Sequence, residues 1–198
     1  YNDGKLYLDG RVKSVGNEIT FGGVKVDASK DFQTQLLLSV NTEDLSVNYI
    51  KSLTSVANKS GRFVIQNKSV QYLNGYVYFT GLLNGSWKQE SESENIATNH
   101  TSAQLKGYVL KMNPETGKVE KATVRTDGGI GGFFGVYEGT KKLYAFGYGM
   151  GATDRGAIIA PIDKETYAVE TPIIVCTYGI VGNATTPIVD GENFVMAN

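Results

Sequence analysis

The sequence predicts an all-β fold: a β-propeller segment of about three to four blades, each a four-stranded antiparallel sheet. The chain has 24 Gly, 12 Tyr and 8 Phe among 198 residues, a composition that suits short strands and tight turns. Two β-rich runs flanking a glycine-containing turn occur four times along the chain. The first three of these hairpins are each followed by a second hairpin. This arrangement is typical of a propeller blade.

The first hairpin of each unit is clearest over residues 69–81, where Asn74-Gly75 separates two apolar runs. Asn-Gly favours a type I′ turn, because both central residues of that turn need a positive φ. Similar patterns surround Asp3-Gly4, Glu138-Gly139 and Asp190-Gly191. Each pattern predicts a tight connection between strands a and b of a blade.

The second hairpin of each unit predicts strands c and d. Its turns lie at residues 41–44, 113–117 and 163–166, which are rich in residues that bond their own backbone or preset φ. Pro161, inside the run before the third of these turns, predicts a bulge or a strand edge.

We interpret residues 1–198 as one propeller segment. The units predict blades at about 1–54, 68–126 and 132–176, followed by a partial blade at about 185–198. Three connections between the strands are long: the b–c connections at 11–31 and 82–104 and the d–a connection at 54–68. We expect all three at the same end of the sheets, where binding sites concentrate. The span begins in an a–b turn and ends on a strand b. We therefore expect a longer propeller or a completing segment; an open β-solenoid arc is the alternative.

Composition narrows the classes of function. The formal net charge is −1, and the sequence has no basic stripe, which argues against a nucleic-acid partner. No apolar run is long enough to predict a transmembrane segment. Cys176 is the single cysteine, so neither an internal disulfide nor a cysteine-cluster metal site is expected. Residues 172–176 predict a buried strand with a packed thiol.

Two polar patterns are candidates for catalytic or metal-binding chemistry. His100 is the only histidine and so the only candidate histidine base for a Ser-His-Asp triad, but its polar surroundings favour a solvated loop. Glu90, Glu92 and Glu94 alternate as they would on one face of a strand, yet the spacing of a calcium loop is missing. An acidic insert is the favoured interpretation. The sequence predicts no catalytic residue, metal site or cofactor.

The glycine run at residues 128–135 resembles a phosphate-binding loop in composition. Phosphate loops lead from a strand into a helix, whereas this run leads into a predicted strand a. We therefore expect its glycines to allow close approach of strands, and Phe133 and Phe134 to be core residues between blades.

The candidate ligand-binding residues are Trp87, Tyr148, Asp154 and Arg155. Trp87 and Tyr148 follow strand b in successive units, so we expect both at the long-connection end, where aromatic rings stack on sugars or peptide side chains. Asp154 and Arg155 belong to the next b–c connection and add polar contacts. The alternative is a lid of aromatic residues over the blade ends.

The first unit carries a recognisable set of motifs at residues 6–10, 19–24, 35–40 and 48–53. It resembles the SBBP-type bacterial β-propeller repeat, with the short pattern Phe21-Gly22-Gly23 in its spacer. The second and third units depart from this pattern, with Gly85-Ser86-Trp87 and residues 147–151 in its place. The chain is also similar to the accessory lipoproteins of outer-membrane nutrient importers in gut Bacteroidetes.

The resemblance implies an extracytoplasmic module on a bacterial surface, often without catalytic residues. Three hypotheses follow. The first is a non-enzymatic module that binds a glycan, a peptide or an envelope protein, including a transport complex of the outer membrane. The second is a structural spacer or docking platform. The third is a glycan-active enzyme whose site is completed by blades outside this span.

Overall fold

The computed structural model describes residues 1–13, 18–27, 33–55, 64–84, 87–89, 105–127, 129–151, 155–177, 188–190 and 193–195. These residues form strands and turns, and they contain no helix able to cross a membrane. In chain order the strands are β1 Lys5–Lys13, β2 Glu18–Phe21, β3 Val24–Asp27, β4 Gln33–Asn41, β5 Val47–Ser55, β6 Val64–Leu73, β7 Tyr76–Asn84, β8 Trp87–Gln89, β9 Lys106–Met112, β10 Val119–Val124, β11 Gly131–Glu138, β12 Lys142–Gly149, β13 Gly156–Asp163, β14 Ile173–Thr177, β15 Ile188–Asp190 and β16 Asn193–Val195.

The strands form three four-stranded sheets and two hairpins, β2–β3 and β15–β16, and every pairing among them is antiparallel. Sheet 1 has the order β1-β4-β5-β8, sheet 2 the order β6-β7-β9-β10, and sheet 3 the order β11-β12-β13-β14. The all-β prediction is confirmed. In sheets 2 and 3 the strands lie side by side in the order in which they occur along the chain.

The tight turns form where glycine follows Asn or Asp. Asn74 and Gly75 have φ values of 48° and 83°, and Asp3 and Gly4 have values of 53° and 71°, as a type I′ turn requires. The third hairpin turns slightly later than the sequence suggests. The N–H of Gly139 donates to the carbonyl of Lys142 at 2.9 Å, which centres that turn on Thr140-Lys141.

Three further turns share one five-residue geometry. In each, the side-chain oxygen of the first residue accepts a hydrogen bond from the backbone N–H two residues later, at 2.8, 2.9 and 3.0 Å. The fifth residue is left-handed, with φ values of 60°, 69° and 60°. The first residues are Asn41, Asn113 and Asp163, and the fifth residues are Leu45, Gly117 and Tyr167.

Sheets 1 and 2 pack face to face. Leu37 and Leu53 of sheet 1 lie in one buried cluster with Phe79 and Leu110 of sheet 2, and none of the four is more than 1% exposed. Because successive side chains of a strand point to opposite faces, the neighbours of these residues in sheet 2 point the other way.

Sheets 2 and 3 pack through that opposite face. Tyr78 and Val109 of sheet 2 join Phe133, Leu143 and Ile158 of sheet 3 in a second buried cluster. Sheet 2 is therefore apolar on both faces, with sheet 1 on one side and sheet 3 on the other.

The outer face of sheet 1 is covered by the β2–β3 hairpin. Ile19 and Val24 of the hairpin pack with Leu36, Leu38 and Ile50 of the sheet. Gly22 in the hairpin turn has φ 53°, and a Cβ there would lie 2.3 Å from the Val47 side chain. The connection expected at 11–31 thus contains a packed hairpin rather than loop alone.

The strand predicted at residues 172–176 is present as β14, but the prediction that this strand is buried is wrong. Ile173, Ile174 and Val175 are 58%, 40% and 47% exposed. The physical reason is position, because β14 is the last strand of sheet 3 and pairs only with β13 among the described strands. The prediction of a packed thiol concerns the Cys176 side chain, which lies outside the part of the chain whose side chains are described.

The turn at 163–166 predicts a strand directly after it, but the fourth strand of sheet 3 begins only at Ile173. Only an isolated bridge between Ile162 and Val169 occurs there, and regular pairing resumes at Ile159 with Ile173. Pro161 lies between these two pairings, which agrees with the strand irregularity predicted from its missing N–H.

We predict that Leu45→Gly stabilises the protein by about 0.5–1 kcal/mol, because a left-handed backbone costs a non-glycine residue about 1–2 kcal/mol and glycine's extra chain entropy removes part of the gain. Leu45 is 75% exposed, so little burial is lost. The change would appear as a higher midpoint in urea unfolding.

Gly117→Ala, at the equivalent turn position, is the matched opposite. Its Cβ would lie 2.6 Å from the Tyr49 ring at φ 69°, and we expect a loss of about 1–3 kcal/mol. Equal urea midpoints for Leu45→Gly and Gly117→Ala would contradict the explanation that the fifth position of this turn requires a left-handed backbone.

Candidate functional site

An aromatic pair lies near one end of sheet 3. The rings of Phe134 and Tyr148 stack with centroids 4.9 Å apart and an interplanar angle of 18°, and both side chains are half-buried. We call these two rings the aromatic platform. Partial burial raises the pKa of Tyr148, so its phenol stays neutral near neutral pH and presents a ring face and a hydroxyl.

A β-bulge creates the platform. The pairing of β11 with β12 shifts between Phe133 and Gly135, leaving Phe134 as the extra residue. Phe133 remains fully buried between sheets 2 and 3, whereas Phe134 stacks on Tyr148. The expectation that both phenylalanines are core residues is therefore right for Phe133 and wrong for Phe134, which is only half-buried.

The glycine run beside the bulge allows neighbouring strands and sheets to approach each other closely, as predicted. A Cβ on Gly131, which has φ 145°, would lie 1.9 Å from the backbone oxygen of Tyr148. A Cβ on Gly132 would lie 2.4 Å from Leu82 of sheet 2. Side chains at these positions would push β11 away from β12 and sheet 3 away from sheet 2.

Met150 and Arg155 lie just beyond the strand ends that carry the platform. Tyr148 pairs with Ala157, and Gly149 pairs with Gly156 as the last pair of β12 and β13. Met150 directly follows β12, and Arg155 directly precedes β13. Met150 is 37% exposed, and Arg155 is exposed and forms no ion pair with the residues that the structure describes. We call Phe134, Tyr148, Met150 and Arg155 the platform site.

Trp87, another predicted site residue, is not brought to this platform. Trp87 begins β8, whose pairing is with β5 at the outer edge of sheet 1, and Trp87 lies opposite Ser55. Trp87 and Tyr148 thus belong to sheets on opposite sides of sheet 2. Asp154 lies outside the described residues, as do His100 and the glutamates at 90, 92 and 94.

A charged cluster fixes the backbone that leads into the platform. Lys106 and Arg125 are 3% and 1% exposed. The Lys106 ammonium donates to the carbonyl of Asp127 at 2.7 Å and to that of Gly129. Arg125 holds the Asp127 carboxylate through both oxygens, with Nη2 2.6 Å from Oδ2. These contacts tie the end of sheet 2 to the segment that begins β11.

The electrostatics of the cluster favour an ionised Asp127. Partial burial alone would raise the pKa of Asp127, but the Arg125 hydrogen bonds and the charges of Arg125 and Lys106 lower it below its usual 3.8. No motif in the sequence predicts this cluster, because the pairing of β9 with β10 brings Lys106 close to residues that are distant from it along the chain.

Polar contacts also join sheets 2 and 3 directly. The Gln71 side chain accepts from the N–H of Val136 at 2.7 Å and donates to its carbonyl at 3.3 Å. Near the tight turns, Glu138 accepts from Asn74 at 3.1 Å and pairs with Lys164 at 3.0 Å. These contacts fix the register of the two sheets, and hence the height of the platform relative to sheet 2.

Among the described residues, no three His, Cys, Asp or Glu side chains lie together in a way that would hold a metal ion. Comparisons of this chain with protein-family models, with curated proteins and with solved structures find no match. The arrangement of the platform site itself therefore carries the functional argument.

We predict that Asp127→Asn lowers the free energy of unfolding at neutral pH by about 1–3 kcal/mol, because it weakens charge-assisted bonds to a buried guanidinium. Since the folded pKa of Asp127 is depressed, its contribution is complete above the usual value of 3.8 and is lost as pH falls through the folded pKa. The gap between wild type and variant should stay constant from about pH 8 to 5 and narrow below about pH 4.

Glu170→Gln provides the control in the same urea titrations. It removes a carboxylate whose partner, the Lys142 ammonium 2.5 Å away, is exposed, so we expect a much smaller loss than for Asp127→Asn. A gap for Asp127→Asn that does not change with pH would show that the ionised carboxylate contributes nothing through Arg125.

Proposed function

We propose that this chain is a non-enzymatic module of the β-propeller type that binds a glycan or a peptide through the platform site. The observation that carries the proposal is the stacked Phe134–Tyr148 pair, which is only half-buried, at a sheet end where a buried charged cluster holds the backbone. Fixed aromatic rings with nearby polar groups are the usual means of binding sugar rings and peptide side chains.

Three observations support the propeller interpretation. Sheets 2 and 3 each have four antiparallel strands in chain order, and β1, β4 and β5 follow the same order in sheet 1. Successive sheets bury their faces against each other. The second turn of each unit has the same hydrogen bonds and the same left-handed fifth residue. Blades that bury their faces only against neighbours require this pattern.

The cellular setting of the proposal rests on the resemblance of residues 6–53 to the SBBP-type repeat. A surface or secreted location in a bacterium, and a role beside an outer-membrane importer, follow from that resemblance. In such a setting an accessible aromatic platform would capture an extracellular ligand before its transfer to a transport complex.

A second candidate function is docking to another envelope protein through the edge of sheet 3. The consecutive exposed side chains of Ile173, Ile174 and Val175 on the last strand favour it. Exposed apolar edge strands are sites where other chains add a strand.

The test is binding of the purified protein to panels of immobilised oligosaccharides, neutral and acidic, and of synthetic decapeptides. We predict that Tyr148→Ala weakens binding to the ligand found by about three- to tenfold, because a stacked ring is worth about 0.5–1.5 kcal/mol beyond its buried area. Phe134→Ala should act in the same direction.

Tyr1→Ala is the matched control, since Tyr1 is 77% exposed and belongs to none of the strands. If Tyr148→Ala binds the ligand as tightly as wild type, the aromatic platform is not the binding site. A protein partner that Tyr148→Ala retains but Ile174→Lys loses would establish the docking function instead.

A further inference from the structure

Strand β1 has an open edge. It is the first strand of sheet 1 and pairs with β4 from Lys5 to Lys13 without a register shift. The corresponding strands of sheets 2 and 3, β7 and β12, have a neighbour on both sides, because β6 and β11 pair with their other edges. Among the described strands, none pairs with the other edge of β1.

The correspondence of β1, β7 and β12 follows from their turns and their sequences. Each begins directly after the tight turn of its unit, at Lys5, Tyr76 and Lys142. In all three strands the second residue is apolar, the third is tyrosine and the sixth is glycine. The open edge of β1 is therefore the place that a strand a occupies in sheets 2 and 3.

The first backbone pair at this edge is already formed. The N–H of Asn2 donates to the carbonyl of Lys5 at 3.0 Å, and the N–H of Lys5 donates to the carbonyl of Asn2 at 2.9 Å. Backbone groups alternate in direction along a strand, so those of Tyr7, Asp9 and Arg11 point to the same edge as those of Lys5. The edge thus presents a regular row of donors and acceptors.

An apolar row crosses the outer face of sheet 1 and ends at the same edge. Leu8 pairs with Leu38, and Leu38 pairs with Ile50. Ile50 and Leu38 are 8% and 4% exposed, whereas Leu8 is 38% exposed. Leu6, on the same face of β1, is also 38% exposed. An apolar side chain on an added strand would cover the end of this row.

Sheet 1 accepts a strand from another unit at its opposite edge. β8 belongs to the connection between β7 and β9 of sheet 2, yet it pairs antiparallel with β5 through Leu53, Thr54 and Ser55. Addition of a strand from outside the unit is therefore part of how this sheet is built.

The charges of β1 indicate which strand its edge would accept. β1 carries Lys5, Arg11 and Lys13 but a single carboxylate, that of Asp9. Like charges on neighbouring strands repel each other, and opposite charges attract. A neutral or acidic strand therefore suits this edge better than a second copy of β1.

We propose that the open edge of β1 is the acceptor for an extended, neutral or acidic strand of a partner protein, which adds antiparallel to β1. An uncharged side chain of that strand lies opposite Tyr7 and an apolar one opposite Leu8. β6 shows this pattern, because its Gln71 and Val70 lie opposite the corresponding positions of β7. The acceptor edge is independent of the platform site.

The experiment measures binding of a fluorescent octapeptide to the 198-residue chain by fluorescence anisotropy. The peptide has the sequence of residues 64–71 with Lys68→Glu, which makes it an acidic strand of the β6 pattern. In the β6 register the N–H of Gln71 points to the acceptor and that of Val70 points away. N-methylation of Gln71 should therefore weaken binding about three- to tenfold, whereas N-methylation of Val70 should have little effect.

Arg11→Pro tests the same contact from the side of the protein. Proline is tolerated where the N–H of an edge strand points away from the sheet, so the pairing of β1 with β4 should persist. Arg11→Pro should bind the peptide about three- to tenfold more weakly than Arg11→Gln, which removes the same charge but keeps the N–H. Urea midpoints of the two variants report whether both are folded, and the N-methylated peptides test the contact without changing the protein.

The outcomes separate this inference from the proposed function. Equal binding of the two N-methylated peptides, or no binding of the octapeptide at millimolar concentration, would overturn strand addition to β1. Tyr148→Ala and Ile174→Lys should both leave octapeptide binding unchanged. Loss of binding in either variant would place the peptide on the aromatic platform or at the edge of sheet 3, and β1 would not be the acceptor. The oligosaccharide and decapeptide panels decide the proposed function in every case.

Discussion

The burial of both faces of sheet 2 is the constraint on which the rest of this structure depends. Tyr78 and Phe79 are neighbours on β7, yet each is buried, one against sheet 3 and the other against sheet 1. A sheet with two apolar faces cannot meet water on either, so its strands are stable only between two other layers. Sheets 1 and 3 supply those layers.

Close packing of the layers explains where glycine is needed. Gly107 of sheet 2 leaves room for the Phe133 ring, since a Cβ there would lie 2.8 Å from that ring, and Gly132 of sheet 3 leaves room for Leu82. Directly after these contacts the backbone of β11 bulges at Phe134. Phe133 thus packs between the sheets while Phe134 stacks on Tyr148.

Polar contacts then fix the register between the sheets, which apolar packing alone does not define. Apolar surfaces attract without direction, whereas the paired bonds of Gln71 to the Val136 backbone have one geometry. The bonds of Lys106 and Arg125 near Asp127 do the same at the platform end of the sheets. The stacked pair of Phe134 and Tyr148 depends on this rigidity, because a ring that shifts by about an ångström loses its stacking partner.

The sequence by itself determined the local elements of this protein: the strand class, the type I′ turns at Asp3-Gly4 and Asn74-Gly75, and the three Asn- or Asp-led turns. Each depends on residues next to one another in the chain, whose φ preferences and side-chain bonds act without the rest of the fold. Only the tertiary structure decided that residues 173–175 are exposed, that Phe134 leaves the core while Phe133 stays, and that β8 with Trp87 pairs to sheet 1. Those outcomes depend on which strand lies at an edge and which sheets meet, and contacts between residues distant in the chain set both.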